Sequence, residues 1–291
     1  MKIYIPLIYS EKIKRPGNKY ILNNIIGEDF LILLLSFTYN SPYPLSNAFG
    51  LLMLQISFWC IYELGYIEND IIGEKFEDRA VLSYNYKFFN YSFPLWQPWV
   101  WSLGFSVIGI ACLSQDITIA GELNNTSYLT NNNLSLLQTV EGFIFWLAFL
   151  LFVRALFHIY NHLNKQSRVW FYLLLQACRY CGYLVLLTTN TAGIFLLFSV
   201  VLARSIQYAL YRYLGGKRSD WPMDFPKYFF CLLIFLLLTI LVAANNRDWS
   251  LITNFQILLI SSFCIARGSK QFYKVFSQFV PVTEDGSNRV T

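Results

Sequence analysis

Apolar segments of about 20 residues follow one another along most of this chain, and this pattern decides its class of fold. Segments of that length cross the hydrocarbon core of a bilayer as helices. Of the 291 residues, 56% are hydrophobic and 13% are charged, whereas a soluble domain carries about 25% charged residues. The sequence therefore predicts an all-α, polytopic transmembrane helical bundle. The basic residues behind the net charge of +5 are spread through loops, so no nucleic-acid partner is expected.

Eight segments are apolar enough to be predicted as membrane spans. They cover about 22–40, 48–69, 94–114, 135–160, 169–188, 192–213, 226–244 and 250–267. The first is the weakest, because Glu28 and Asp29 interrupt it. We predict one transmembrane domain over 22–267, preceded by a cytoplasmic N-terminal segment, 1–21, and followed by a cytoplasmic tail, 268–291.

The distribution of basic residues predicts the orientation of the bundle. An even number of spans places both termini and the loops at 70–93, 161–168 and 213–225 on one side. These loops contain Lys75, Arg79, Lys87, Lys165, Arg168, Lys217 and Arg218. The opposite loops contain only Arg247. Since Lys and Arg are enriched in cytoplasmic loops, the N-terminus is predicted to be cytoplasmic.

An acidic stretch, Tyr62–Arg79, ends the second span and reads YELGYIENDIIGEKFEDR. Four of its acids have the spacing i, i+7, i+11 and i+15, which places them roughly on one face of a helix. These acids are Glu63, Asp70, Glu74 and Asp78. Like charges on one face repel, and Mg²⁺ held by carboxylates and the amide of Asn69 would relieve the repulsion. The alternative is a solvated helix end without a ligand.

A second acidic cluster lies between the sixth and seventh spans, in Leu214–Lys227. Asp220 and Asp224 form a DxxxD sequence, which a helix would place on one face. Basic residues accompany both clusters, and these are Lys75, Arg79, Lys217 and Arg218. Acids that hold a metal beside bases that hold oxyanions suit a metal-bound diphosphate. Two surface aspartates at this spacing are also common without any function.

Ionisable side chains within the spans are candidate substrate contacts, because they are costly in a bilayer. Arg154 and His158 share a helical face at the depth of the acidic clusters, so both are predicted to contact substrate. For Arg179 and Arg204, a substrate contact and an interhelical salt bridge are equally well supported. The candidate partners for such bridges are Glu63 and Glu141.

The two acidic clusters resemble the motifs of the UbiA superfamily of intramembrane prenyltransferases. That family's first motif is NDxxDxxxD, and this chain reads NDIIGEKFEDR from Asn69 onwards. Gly73 and Glu77 occupy the second and third acid positions of the family, and acids follow one residue later at Glu74 and Asp78. The resemblance covers about 27–267. It implies nine helices, so eight to nine spans are expected, with Mg²⁺ and a diphosphate beneath a cytoplasmic cap.

The resemblance implies an Mg²⁺-dependent transferase that moves a prenyl or polyprenyl group from an isoprenoid diphosphate to a small-molecule or lipid acceptor. The expected metal ligands are Asn69, Asp70, Glu74, Asp78, Asp220 and Asp224, with Asp70 and Asp224 as catalytic residues. The expected diphosphate-binding residues are Lys75, Arg79, Arg154, Lys217 and Arg218. The expected substrate-lining residues are Glu63, Tyr66 and His158. Rings such as Tyr62 and Tyr66 would stabilise the allylic cation.

Two other functions stay open at this point. Some UbiA relatives transfer phosphoribose from a soluble diphosphate donor to polyprenyl phosphate, and the basic, tyrosine-rich segment 70–93 would suit such a hydrophilic donor. The third reading is a non-catalytic membrane transporter or scaffold. A transporter is expected to have broken helices in symmetric positions, and the sequence shows no pair of spans interrupted in that way by Gly or Pro.

Overall fold

A computed structural model of the chain describes residues 3–77, 80, 82–88, 93–114, 131–164, 166–214 and 224–276. Side chains are described for these residues except 131–138, 214, 224–225 and 270–276. The described part is helical and contains no strand, in agreement with the predicted all-α class. The main helices are α1 (Ile21–Thr38), α2 (Pro44–Phe76), α3 (Trp96–Leu113), α4 (Asn131–His162), α5 (Arg168–Cys181), α6 (Thr191–Leu214), α7 (Asp224–Asn246) and α8 (Phe255–Phe276).

Six of these helices are long and apolar enough to cross a membrane, namely α1, α2, α3, α4, α6 and α7. The other two fall short of the roughly 20 residues that a span needs. Helix α5 has 14 residues, and the apolar part of α8 covers only Phe255–Ser269. The chain is thus an integral membrane protein by its apolar helices. The predicted count of eight to nine spans is not confirmed, and the orientation of the N-terminus stays a prediction.

Several helix boundaries differ from the predicted ones. Helix α2 runs on to Phe76, so its predicted end at residue 69 is wrong and most of the acidic stretch is helical. Helix α5 ends at Cys181, and a 3₁₀ turn over Gly182–Val185 follows it. Helix α6 is described as far as Leu214.

Helix α2 is the central helix of the bundle. In its most apolar 18-residue window 78% of the residues are buried, against 28–39% in the other five candidate spans. It packs on α1, α3 and α4. A Cβ added at Gly65 would lie 2.3 Å from Cγ of Phe157 on α4, so only glycine permits this close approach of the two helices. Small residues at helix crossings allow such approaches in membrane proteins.

The second half of the bundle is built on α6, which packs on α5 and α7, while α8 packs on α7. Helix α1 joins the two halves, since it contacts α2, α6 and α8. Many large apolar side chains on the outer helices are exposed, for example Leu233 and Leu237 on α7 and Leu258 on α8. Many exposed large apolar side chains are unsuited to water and suit lipid.

Candidate functional site

The C-terminal half of α2 presents three faces, because helical residues three and four apart lie above one another. Residues 63, 67, 70 and 74 form the acidic face, which points at the N-terminal segment and at the 3₁₀ turn Tyr84–Phe88. Residues 65 and 68 face α4. Tyr62 and Tyr66 face the aromatic interior of the bundle. The acids of the stretch therefore meet different parts of the chain.

Glu63 anchors the N-terminal segment to α2. Its side chain is fully buried. One carboxylate oxygen accepts hydrogen bonds from the Tyr4 hydroxyl at 2.7 Å and the Leu7 amide at 2.8 Å. The other accepts from the Ser10 amide at 2.7 Å. Burial, followed by the nearby Glu63 carboxylate, raises the pKa of Tyr4, so its hydroxyl stays protonated and donates. The sequence predicted Glu63 to line a substrate site; the structure places it beneath this segment.

Asp70 is held by two donors from the same segment. The Tyr9 hydroxyl donates to one oxygen at 2.6 Å, and the Lys14 ammonium lies 2.5 Å from the other. The Asp70 side chain is only 4% exposed. Burial and the Asp70 carboxylate raise the pKa of Tyr9, which keeps this donor neutral and protonated. Charge-assisted bonds of this kind are about twice as strong as neutral ones.

The remaining described acids of the stretch are also paired. The Tyr86 hydroxyl donates to Glu74 at 2.9 Å, and burial together with Glu74 raises the pKa of Tyr86. Arg168 of α5 donates to Glu77 at 2.6 Å. The side chain of Lys75 is exposed. The repulsion between these acids is thus relieved by basic and hydroxyl side chains of the protein, and not by the metal ion that their spacing predicted.

The described residues of this stretch do not fit an Mg²⁺ site in this arrangement. Lys14 and Tyr9 occupy both carboxylate oxygens of Asp70. Asn69 lies about 100° around the helix from Asp70, so the two side chains leave α2 in different directions. A divalent ion at Asp70 would have to displace the Lys14 ammonium. Five predicted site residues lie outside the described residues, and these are Asp78, Arg79, Lys217, Arg218 and Asp220. Asp224 begins α7, with its side chain outside the described set.

A second polar group joins α2 to the end of α4. Glu68 accepts hydrogen bonds from Arg154 at 2.6 Å and from the Asn161 side chain at 3.0 Å, both on the same oxygen. Its other oxygen lies 2.8 Å from Nδ1 of His158. The structure thus brings together Arg154 and His158, as their shared helical face predicted. Their common partner is Glu68 of α2.

A buried charge cluster lies between α1, α5, α6, α7 and α8. Asp29 receives two hydrogen bonds from Arg179, at 2.9 and 2.5 Å, and one from the Tyr180 hydroxyl at 2.7 Å. Glu28 lies 2.5 Å from Arg204 and 2.9 Å from Lys227. Arg267 lies 4.0 Å from Glu28. Among the described residues, four basic side chains and two carboxylates thus meet in this cluster.

Arg179 and Arg204 therefore form interhelical salt bridges, as one reading of the sequence predicted, but with partners it did not name. Their carboxylates come from α1 and not from Glu63 or Glu141. The signal was present in the sequence, since Glu28 and Asp29 interrupt an otherwise apolar segment, and such residues are usually paired inside a bundle. From the sequence alone, Glu28 and Asp29 were interpreted only as a weakness of the first span.

Aromatic rings continue the charge cluster toward α2. The Arg179 guanidinium lies 4.8 Å from the Trp59 ring centre and 5.8 Å from that of Tyr62. Tyr62 packs edge-on against Tyr66 and against Phe157 of α4. Ring faces attract positive charge at such distances. The interior beside α2 is thus basic and aromatic, while the acidic face points outward to the N-terminal segment.

Comparison with known proteins adds no relative to this description: no family model, no curated protein and no solved structure matches the chain.

Proposed function

We propose that the chain is an integral membrane transferase that binds a diphosphate substrate and transfers its prenyl or polyprenyl group to an acceptor. One observation carries the proposal, namely the buried guanidinium of Arg204 in the cluster between α1, α5, α6, α7 and α8, whose Nε has no hydrogen-bond partner among the described residues. A buried donor without an acceptor is expensive inside a bilayer. A multiply charged oxyanion would supply that acceptor, and guanidinium groups match the geometry of phosphate oxygens.

Arg204 is the residue of this cluster best suited to contact such an anion. Its guanidinium donates to Glu28 through one terminal nitrogen. Its Nε is buried and has no hydrogen-bond partner among the described residues. A buried donor without a partner costs about 1–3 kcal/mol. A phosphate oxygen bound at Nε would remove that cost and use the second edge of the guanidinium.

The proposed reaction asks two things of the chain's own residues. The bond between the prenyl carbon and the diphosphate oxygen breaks, and its electron pair leaves with the diphosphate. Arg204, Lys227 and Arg267 would neutralise the charge that develops on that leaving group. The rings of Trp59 and Tyr62 would lie beside the positive carbon until the acceptor bonds to it and releases a proton. Since Asp70 is held by Lys14, no step is assigned to a metal at Asp70.

The test is binding of a panel of diphosphates to the purified full chain, with and without Mg²⁺. The panel contains farnesyl, geranylgeranyl and longer isoprenoid diphosphates, and phosphoribosyl diphosphate. Arg204→Lys keeps the charge beside Glu28 but removes the Nε donor. It should weaken binding by about 10- to 100-fold, the equivalent of one hydrogen bond to a charged group. The matched control is Arg247→Lys, an exposed arginine beyond the end of α7, which should bind as the wild type does.

The outcomes separate the functions that the sequence left open. Tight binding of an isoprenoid diphosphate supports prenyl transfer, whereas preference for phosphoribosyl diphosphate would replace it by phosphoribosyl transfer to polyprenyl phosphate. Equal binding by wild type and Arg204→Lys contradicts the assigned anion site. No binding of any diphosphate leaves the non-catalytic transporter or scaffold. Asp70→Ala and Asp224→Ala test the Mg²⁺ prediction separately. If these two aspartates hold Mg²⁺, both variants should lose the part of diphosphate binding that depends on Mg²⁺.

A further inference from the structure

The two histidines of the chain lie one helical turn apart at the end of α4. They are His158 and His162, and the chain contains no others. Both side chains are exposed, and their ring centres lie 4.4 Å apart. One ring nitrogen of each lies within 4.8 Å of the other and of a Glu68 oxygen. Two histidines at i and i+4 share one face of a helix, the spacing with which helices hold zinc.

Hydrogen bonds fix which nitrogen of each ring carries a proton. Nδ1 of His158 lies 2.8 Å from Oε1 of Glu68, and a carboxylate accepts only. Nδ1 of His162 lies 2.8 Å from the backbone carbonyl oxygen of His158, which also accepts only. Both Nδ1 atoms must therefore donate. In the neutral rings this leaves the lone pair on each Nε2, and both lone pairs are available to a metal ion.

The Glu68 carboxylate is itself held in place. Its Oε2 accepts from Arg154 at 2.6 Å and from the Asn161 side chain at 3.0 Å. Its Oε1 is left to orient His158. Histidines that bind metals almost always donate their second ring N–H to a carboxylate or a backbone carbonyl. His158 has the first kind of partner and His162 has the second.

We propose that His158 and His162 form a binding site for a late first-row divalent metal ion such as Zn²⁺ or Cu²⁺. The two Nε2 atoms are the ligands, water completes the coordination, and Glu68 positions His158. Imidazole nitrogen suits these ions, whereas Mg²⁺ takes oxygen ligands. The site is therefore distinct from the predicted magnesium site. A bound ion would also tie the last turn of α4 to α2 through Glu68.

Zn²⁺ alone is the probe, titrated calorimetrically into the purified chain without a polyhistidine tag. We expect one ion per chain, and loss of that binding in His158→Gln and in His162→Gln. Both residues are exposed, so these variants should fold. Glu68→Gln should weaken binding by about 10- to 100-fold, as loss of a ligand's orienting partner does. The matched control Glu141→Gln, an acid of α4 that is not part of the Glu68, His158 and His162 group, should bind as the wild type does.

Two results would overturn the site: no Zn²⁺ binding by the wild type, or binding that survives in either histidine variant. Equal affinity of Glu68→Gln and wild type would overturn the positioning assigned to Glu68. Cu²⁺ bound to the wild type should give an electron paramagnetic resonance spectrum with nitrogen coordination, which the double variant His158→Gln/His162→Gln should lack. These measurements use the metal alone, so they do not depend on diphosphate binding.

Discussion

The contact between Glu63 and the N-terminal segment gives the sharpest test of this structure. In Glu63→Gln the side chain keeps its shape, but one acceptor oxygen becomes an NH₂ donor. The carboxylate receives Tyr4 and Leu7 on one oxygen and Ser10 on the other. Whichever way the amide is turned, at least one buried donor then faces another donor. Leaving a buried donor unsatisfied costs about 1–3 kcal/mol.

This cost should appear as more frequent opening of the N-terminal segment. At 1.4 kcal/mol per factor of ten, the Leu7 and Ser10 amides should exchange their hydrogens about 5- to 140-fold faster. Hydrogen–deuterium exchange measured by mass spectrometry on peptides covering these residues reports such local opening. Asp70 still holds Tyr9 and Lys14, so the effect should stay local and the bundle should remain folded.

The control for this test is Glu141→Gln, the same chemical change on α4. Glu141 makes none of the hydrogen bonds that hold the N-terminal segment, so exchange at Leu7 and Ser10 should be unchanged. If Glu63→Gln also leaves exchange at both amides unchanged, Glu63 does not anchor the segment and the argument fails.

Two further predictions concern the packing of the bundle, and both are read from thermal unfolding in detergent. Gly65→Ala places a Cβ 2.3 Å from Phe157 and should destabilise the protein by about 1–3 kcal/mol through overpacking; Gly104→Ala, with nothing within 4 Å of the added Cβ, should not. An equal loss in both variants would contradict a specific close approach of α2 and α4. Asp29→Asn leaves Arg179 buried without its carboxylate and should cost about 3–5 kcal/mol, so an unchanged unfolding temperature would refute the buried ion pair.

The sequence by itself determined the class of fold and the existence of most helices. Hydropathy reflects the free energy of transferring each local segment from water to an apolar medium. It therefore predicted the six apolar helices that are long enough to span a membrane. Its count of eight to nine spans is not confirmed, because the apolar helical parts of α5 and α8 are shorter than a membrane span needs. Local patterns could also place three acids of α2 on one helical face, since that depends only on the helical repeat.

Only the tertiary structure determined which acidic side chain pairs with which basic side chain. Asp29 and Arg179 are 150 residues apart in sequence, and Glu28 and Lys227 are 199 apart. No local pattern relates such positions. Lys14 likewise neutralises Asp70 from 56 residues away in the sequence. The spacing of the acids in α2 required positive partners for physical reasons, but whether those partners are metal ions or basic side chains depends on how distant segments pack against the helix.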